Sequence, residues 1–242
     1  MKRRVAILKT LGIELPKHAR ILDFGCGEGR TVYSLRDQGY PNVYGYDIYE
    51  RLELRQPDDR SHFFIADRAA GSRLPFDDNS FDLIISEQVF EHVLDQVGLL
   101  RELHRIMGPG GHALHVFPAR YCLIEPHMYV PLGGLMGHRW WYKMWALAGV
   151  RNEYQKDLST DETANRNAYY FIEGLNYVPN SCYEVVWAQL GYKWKWIDQE
   201  NFDTSERAIV RMVGMLNRAL PVIGWLNRTF HTRRVYLRKP QV

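Results

Sequence analysis

The sequence predicts an α/β fold built on a doubly wound, mainly parallel sheet, and three observations carry that prediction. Short apolar runs bounded by turn residues recur at 20–24, 43–48, 62–66, 82–86 and 112–117, and continuous runs of this kind suit strands buried on both faces. Helical periodicity lies between them, near 28–38 and again where Val93, Leu94, Val97, Leu100, Leu103, Ile106 and Met107 recur near helical spacing. Such alternation places helices on both faces of a parallel sheet. The third observation is ILDFGCGEGR at 21–30, an apolar run that ends in Asp23 and then carries Gly25, Gly27 and Gly29. Glycines let the backbone turn sharply and approach a ligand without Cβ interference. A strand, a glycine turn and a helix make a nucleotide-type pocket at the carboxyl end of a sheet.

The elements follow in order. Residues 4–18 read as a leading helix closed by Pro16. The connections 50–61 and 68–80 hold Pro57, Gly71 and Pro75 and show little periodicity. The helix that runs to Met107 stops at Gly108-Pro109-Gly110-Gly111, a strong terminator. Residues 118–179, rich in Tyr and Trp, fit an α/β alternation poorly and read as an insertion or cap over the ligand face. A helix over 181–190 ended by Gly191, a strand over 192–197, a helix over 203–230 interrupted by Pro221 and a last strand at Val235–Arg238 complete the chain. Residues 203–231 therefore read as a second insertion, and the whole of 1–242 as one domain.

Composition narrows the class. An apolar content of 46% with mixed charge is that of a globular chain. Cys26, Cys122 and Cys182 form neither a disulfide framework nor a metal spacing, which predicts a reducing, cytoplasmic setting. The apolar run after Arg4 stops at Lys9, too short for a signal peptide, and no stretch is long enough for a spanning helix. The net charge of +3 is unevenly placed: beyond Glu206 there are cations from Arg207 to Lys239 and no acid. That tail reads first as a solvated face and second as a peripheral contact, through 207–239, with an anionic membrane. The apolar positions of 208–226 are not confined to one stripe, so a buried or dimer-forming helix competes with a membrane-surface one.

The spacing of the glycines selects the ligand. A dinucleotide fingerprint is G-x-G-x-x-G, whereas here Arg30 stands where the third glycine would fall. Asp47 ends the second strand about twenty residues on, where an acid accepts hydrogen bonds from ribose hydroxyls. Residues 19–30, DRAAGSRLPFDDNSFDLII at 67–85, SEQVFEH at 86–92 and RIMGPGGHALHVF at 105–117 together resemble the class I S-adenosylmethionine-dependent methyltransferases, in particular their small-molecule and lipid-acting branch. The resemblance covers about residues 18–118. It implies a seven-stranded sheet whose last strand, about 234–239, is antiparallel, and S-adenosyl-L-methionine as the cofactor. It also implies site roles. Asp23 lies near the amino group of the methionine moiety, Gly25 and Gly27 pack main chain on that moiety, and Asp47 binds the ribose. Ile48 packs on adenine, Asp67 accepts from the adenine amine with Arg68 main chain beside it, and Ser86 and Glu87 face the reacting centre. The link between Asp67 and Leu74 is longer than the family usually has.

The acceptor is a separate question. His92, His127 and Glu125 are the candidate catalytic residues, since a hydroxyl acceptor needs a general base. His92 competes with a role in packing a helix N-terminus, and His115, inside a strand, reads as a core histidine. SEQ after the fourth strand lacks the Asn/Asp-Pro-Pro-Tyr of nucleic-acid amino methylation, and no Pro-Cys nucleophile is present, so nucleic acid is not the expected substrate. With no cluster of metal-ligand spacing, the expectation is metal-independent transfer, to oxygen, of a methyl group onto a small-molecule, glycan or lipid-like acceptor. Trp140, Trp141, Tyr142 and Trp145 with Tyr169, Tyr170 and Phe171 could line its pocket, although most read as the insertion's own core. The rival readings are an NAD-binding Rossmann oxidoreductase, opposed by the glycine spacing and by the lack of a Tyr-x-x-x-Lys pair, and a non-catalytic scaffold, which has no need of Asp47.

Overall fold

The computed structural model describes residues 2–50, 52–66 and 73–241. Seven strands form one sheet in the order β3-β2-β1-β4-β5-β7-β6. They are β1 (Ile21–Phe24), β2 (Val43–Asp47), β3 (Phe63–Ile65), β4 (Phe81–Glu87), β5 (Met107–Pro118), β6 (Lys193–Trp196) and β7 (Thr232–Arg238). Strands β1 to β5 pair in parallel, while β7 runs antiparallel between β5 and β6. The chain reverses at β1, leaving that strand to β2 on one side and β4 on the other, and the crevice at this reversal is where doubly wound sheets bind ligands.

Both faces of the sheet are buried along its central strands, by alternation, while β6 at the edge is largely exposed. Leu22, Ile84 and Ala113 point into a core shared with Leu100, Leu103 and Ile106 of α3 (Gln96–Ile106) and with Tyr183 and Trp187 of α6 (Asn180–Gln189). Their neighbours Ile21, Leu83, Ile85 and Leu114 point the other way. There they meet Ile7 and Leu8 of α1 (Lys2–Thr10) and Val32 and Leu35 of α2 (Arg30–Arg36). Strand residues buried on both sides have no polar face to show, which is why the sequence reads as continuous apolar runs.

Several boundaries differ from the sequence reading. Helix α1 ends at Thr10, because Gly12 takes a positive φ and the Ile13 amide turns back to the Leu8 carbonyl, so Pro16 closes nothing. Helix α3 starts only after Asp95, whose carboxylate caps the Gly98 amide; this leaves Val93 and Leu94 in the approach loop. Gly108–Gly111 ends the helix but belongs to β5, as an irregular stretch where Phe81 pairs with Met107 and Leu83 with His112. The helix expected over 203–230 is divided. Helix α7 (Asp198–Asp203) precedes α8 (Ala208–Ala219), and Pro221 caps α9 (Val222–Phe230). Between β5 and α6, α4 (Arg139–Leu147) and α5 (Thr160–Glu173) pack together around Met128, Val130, Tyr142 and Ala164, with Trp141, Trp145, Tyr170 and Phe171 against them. Trp140 and Tyr169 are exposed. No described helix is long and apolar enough to cross a membrane.

Candidate active site

Two groups of polar residues meet at the carboxyl ends of β1, β2 and β4. The first is the glycine loop. Gly25, Gly27 and Gly29 all have positive φ, a region open to glycine and costly to other residues. The Gly25 amide donates to the Tyr46 carbonyl at 2.7 Å, and the Gly27 amide to Oδ2 of Asp47 at 2.8 Å. The Tyr49 amide donates to Oδ1 of Asp47 at 3.0 Å. Asp47 thus ties the loop to the end of β2, and as a carboxylate it keeps lone pairs beyond the two used here. Gln88 holds φ at 57°, which swings Val89 over the loop so closely that a Cβ on Gly25 would collide with its methyl group. At Gly27, by contrast, a Cβ would meet nothing within 4 Å, so that main chain borders open space. Ile48, just past β2, is exposed, and Asp23, one residue before the end of β1, is buried.

At the carboxyl end of β4, Ser86 is buried with its hydroxyl 2.8 Å from Nδ1 of His115, and Glu87 is exposed. Burial holds His115 down at about 3, so its ring is neutral and part of the core. The expected cofactor positions Asp67 and Arg68 lie outside the described residues.

The second group lies one short loop past β4. His127 places Nδ1 2.8 Å from Oε1 of Glu125, whose other oxygen accepts from the main-chain amides of His127 and Met128. The Tyr177 hydroxyl donates to the same Oε1 at 2.9 Å. Nδ1 of His92 is 2.7 Å from the Gly174 carbonyl, and the His92 and His127 rings meet edge to face at 4.9 Å. Between them sits Glu91, 1% exposed. The structure therefore brings His92, His127 and Glu125 together, with Glu91, the acid beside His92, and Tyr170, an expected pocket residue, next to both imidazoles; Tyr177 is the member that the site expectations omitted. The signal for Glu91 was present, as an acid beside His92 in SEQVFEH, but nothing in the sequence spacing ties Tyr170 or Tyr177 to it.

Electrostatics differentiates the cluster. Burial pushes the Glu91 carboxyl up to about 7. Burial alone would also raise Glu125, but the His127 hydrogen bond and charge, the Met128 amide and the Tyr177 hydroxyl hold it below the usual range. For His127 burial opposes the charged ring, yet Glu125 wins and raises it. Burial lowers His92. Two histidines in contact are thus driven in opposite directions, the kind of separation that marks chemically active sites.

The 119–179 segment is sewn to this loop. The Asn176 amide donates to the Glu91 carbonyl at 2.6 Å, its side chain donates to the Val93 and Leu94 carbonyls, and Gln96 bridges the Phe90 and Asn176 carbonyls.

Residues 2–193 match the methyltransferase domain family. The chain belongs to that family. The 2-methyl-6-phytyl-1,4-hydroquinone methyltransferase of Synechocystis sp. is 36% identical over 103 residues, which cover 40% of this chain and 31% of that protein. The demethylmenaquinone methyltransferase of Geobacillus stearothermophilus is 29% identical over 117 residues, 46% of this chain and 49% of that protein. The chain thus spans less than half the length of these curated relatives. An S-adenosylmethionine-dependent methyltransferase from Mesorhizobium loti shares the fold with a TM-score of 0.55 at 19% identity, covering 97% of this chain and 98% of that one. S-adenosylmethionine is the cofactor of the family, and the observed loop fits it, with open main chain at Gly27, a partly exposed Asp47 and an uncovered apolar Ile48. The seven-stranded sheet with its antiparallel β7 is the fold that the resemblance implied.

Proposed function

We propose that this chain transfers the methyl group of S-adenosyl-L-methionine to an oxygen of a small-molecule, glycan or lipid-like acceptor held between the end of β4 and the 119–179 segment. The observation that carries this reading is the Glu91–His92–Glu125–His127 cluster, placed one short loop past Ser86 and Glu87. The bound cofactor supplies a methyl group on a sulfonium, already a good leaving group. An amine can attack it unaided, whereas a hydroxyl must lose a proton, and general-base help is worth about 10²–10⁴-fold. Two imidazoles beside two carboxylates are the equipment an oxygen acceptor needs.

In this reading Asp47 accepts from the ribose hydroxyls and Ile48 covers one adenine face. Gly25 and Gly27 bring main chain against the methionine moiety, and Asp23 faces its amino group. Ser86 contributes main chain, since its hydroxyl is committed to His115, and Glu87 borders the reacting centre. Asp67 and Arg68 complete the adenine contacts. His127, oriented by Glu125, takes up the acceptor proton, and His92 positions the acceptor.

The test is transfer of label from methyl-tritiated S-adenosylmethionine to phenolic, glycan and prenyl-lipid acceptors. Label in methyl ethers or esters is expected, with kcat lowered by about 10²–10⁴ in His127→Asn and binding of S-adenosylhomocysteine unchanged. Label found only on nitrogen or carbon would refute the oxygen assignment.

A second observation bears on where the acceptor is met. Helices α8 and α9 turn small and polar residues inward, Gly214, Asn217 and Gly224, and leave Ile209, Met212, Met215, Leu216, Trp225 and Leu226 exposed. Arg207, just before α8, and Arg211 and Arg218 on it are exposed as well, Arg218 paired with Asp203 at 3.0 Å. Apolar side chains flanked by cations suit an anionic bilayer surface, where each cation contributes about 1 kcal/mol. An apolar groove lined by Gln88, Leu123, Ile124, Pro126 and Phe230 leads from the end of α9 to the end of β4, a path for a lipid-like acceptor.

A further inference from the structure

Three lone pairs converge where the loop after β4 meets the 119–179 segment. The Gly174 carbonyl and the Glu125 carboxylate can only accept, so Nδ1 of His92 and Nδ1 of His127, at 2.7 and 2.8 Å from them, must carry the hydrogens. In each neutral ring Nε2 is then a bare acceptor. These two Nε2 atoms lie 3.8 and 3.9 Å from Oε1 of Glu91. Neither oxygen of Glu91 accepts a hydrogen bond from another of the described residues, although the side chain is 1% exposed. An unpartnered buried carboxylate aimed at two nitrogen lone pairs is unfavourable unless a proton or a metal cation sits among them.

We infer that Glu91, His92 and His127 form a binding site for one divalent cation of the zinc type. The three ligand atoms all lie within 4.8 Å of one another. Tetrahedral bonds of about 2.1 Å need roughly 3.4 Å between ligand atoms, so each imidazole nitrogen closes on Glu91 by about half an ångström and the widest pair by up to about 1.4 Å. Two imidazoles and one carboxylate favour zinc, iron(II), cobalt(II) or manganese(II) over calcium or magnesium, which prefer all-oxygen sites. The outer layer is also that of a metal centre. Each imidazole donates through Nδ1 to a carboxylate or carbonyl, the arrangement that fixes the tautomer and orients the ligand. Glu125 is itself held by Tyr177 and by the Met128 amide. The His92 side chain remains 33% exposed, leaving a coordination position open toward solvent. No spacing in the sequence announces this site, because Glu91-His92 and His127 stand 35 positions apart in separate segments.

The role of the ion rests on the methyl-transfer reading. The open position takes the acceptor hydroxyl, whose proton passes to water as the ion lowers its pKa. The bound alkoxide oxygen then forms the bond to the methyl carbon while the carbon–sulfur bond breaks and its electron pair returns to sulfur, giving the thioether. With the ion present, His92 and His127 are ligands; in the ion-free protein, His127 is the base.

The full chain, stripped by dialysis against a chelator, is titrated with Co²⁺ by visible absorption and then with Zn²⁺ in competition. One equivalent of Co²⁺ is expected to bind and to be displaced by Zn²⁺. Glu91→Gln, which keeps the buried shape, and His127→Ala should each weaken Co²⁺ at least about tenfold, with calorimetric binding of S-adenosylhomocysteine unchanged. A folded wild-type chain that takes up no Co²⁺, or Co²⁺ affinity unaltered in both variants, would overturn the site. Binding of Co²⁺ without binding of S-adenosylhomocysteine would sink the methyl-transfer reading and leave the cation site standing.

Discussion

Asp47 and His115 show how much single side chains carry here. Both oxygens of Asp47 already hold main-chain amides of the glycine loop, so its removal affects both the ligand and the loop that receives it. Asp47→Ala is expected to weaken S-adenosylhomocysteine by at least about tenfold, the scale of one charge-assisted hydrogen bond, while circular dichroism shows a folded chain; unchanged affinity would show that the ribose lies elsewhere. His115 governs acid stability. The unfolded chain protonates it near the ordinary 6.5, the folded chain only at about 3, so unfolding takes up a proton between those values. This contribution is fully present above pH 6.5 and is lost as the pH falls, by about 1.4 kcal/mol per unit. Denaturant midpoints measured between pH 7.5 and 5 should drop less steeply in His115→Asn than in wild type; parallel curves would mean that His115 is not buried neutral.

At the scale of the element, the α8–α9 pair reverses the usual arrangement of an amphipathic helix. A Cβ on Gly214 would come within 2.7 Å of Cβ of Phe202, and one on Gly224 within 3.0 Å of Cβ of Asp198. The pair therefore approaches α7 through its smallest residues, tied by Asn217 to Gln199 and to the Gly224 amide. Gly214→Val should force the helices apart and cost about 1–3 kcal/mol, read as a lower melting temperature; an unchanged value would contradict the close approach. The exposed side predicts co-sedimentation with phosphatidylglycerol-containing vesicles at low salt, release by added salt, and loss of binding in Leu216→Glu combined with Trp225→Ser. A chain that ignores anionic vesicles but forms dimers through this face would assign the surface to a second copy instead. Not every cation of the tail is available for such a contact, since Arg228 pairs with Asp198 at 2.7 Å and Arg233 is buried.

For the whole molecule, Arg233 is the link between the sheet and the 119–179 segment. Its Nε donates to the Pro118 carbonyl, and its Nη1 to the Val178 carbonyl and to Oδ1 of Asn180. The guanidinium also lies over the rings of Phe117 and Tyr183. One side chain of β7 thereby holds the chain on both sides of the segment. Arg233→Met keeps the length but leaves buried carbonyls without donors, at about 1–3 kcal/mol each. The variant should unfold earlier, and limited proteolysis should cut first within 119–179; uniform cleavage across the chain would argue against this clamp.

The sequence by itself determined the sheet, the glycine loop and the cofactor, because each is written in contiguous residues. A strand buried on both faces reads as an apolar run, and a turn with positive φ at three alternate positions, Gly25, Gly27 and Gly29, favours glycine at each. Asp47 was legible for the same reason, as the residue that ends β2. Tertiary structure alone decided the rest. Gly45 appears an ordinary strand glycine until Cys26 and Phe63 are seen to pack where its Cβ would lie. His115 and Ser86, 29 positions apart, hydrogen-bond only because β4 and β5 are neighbours in register. Glu91, His92, Glu125, His127 and Tyr177 become one cluster only when the 119–179 segment folds back onto the loop after β4. Local pattern records what a residue's own backbone and burial demand, whereas a site assembled across segments depends on distances that are set when the chain packs.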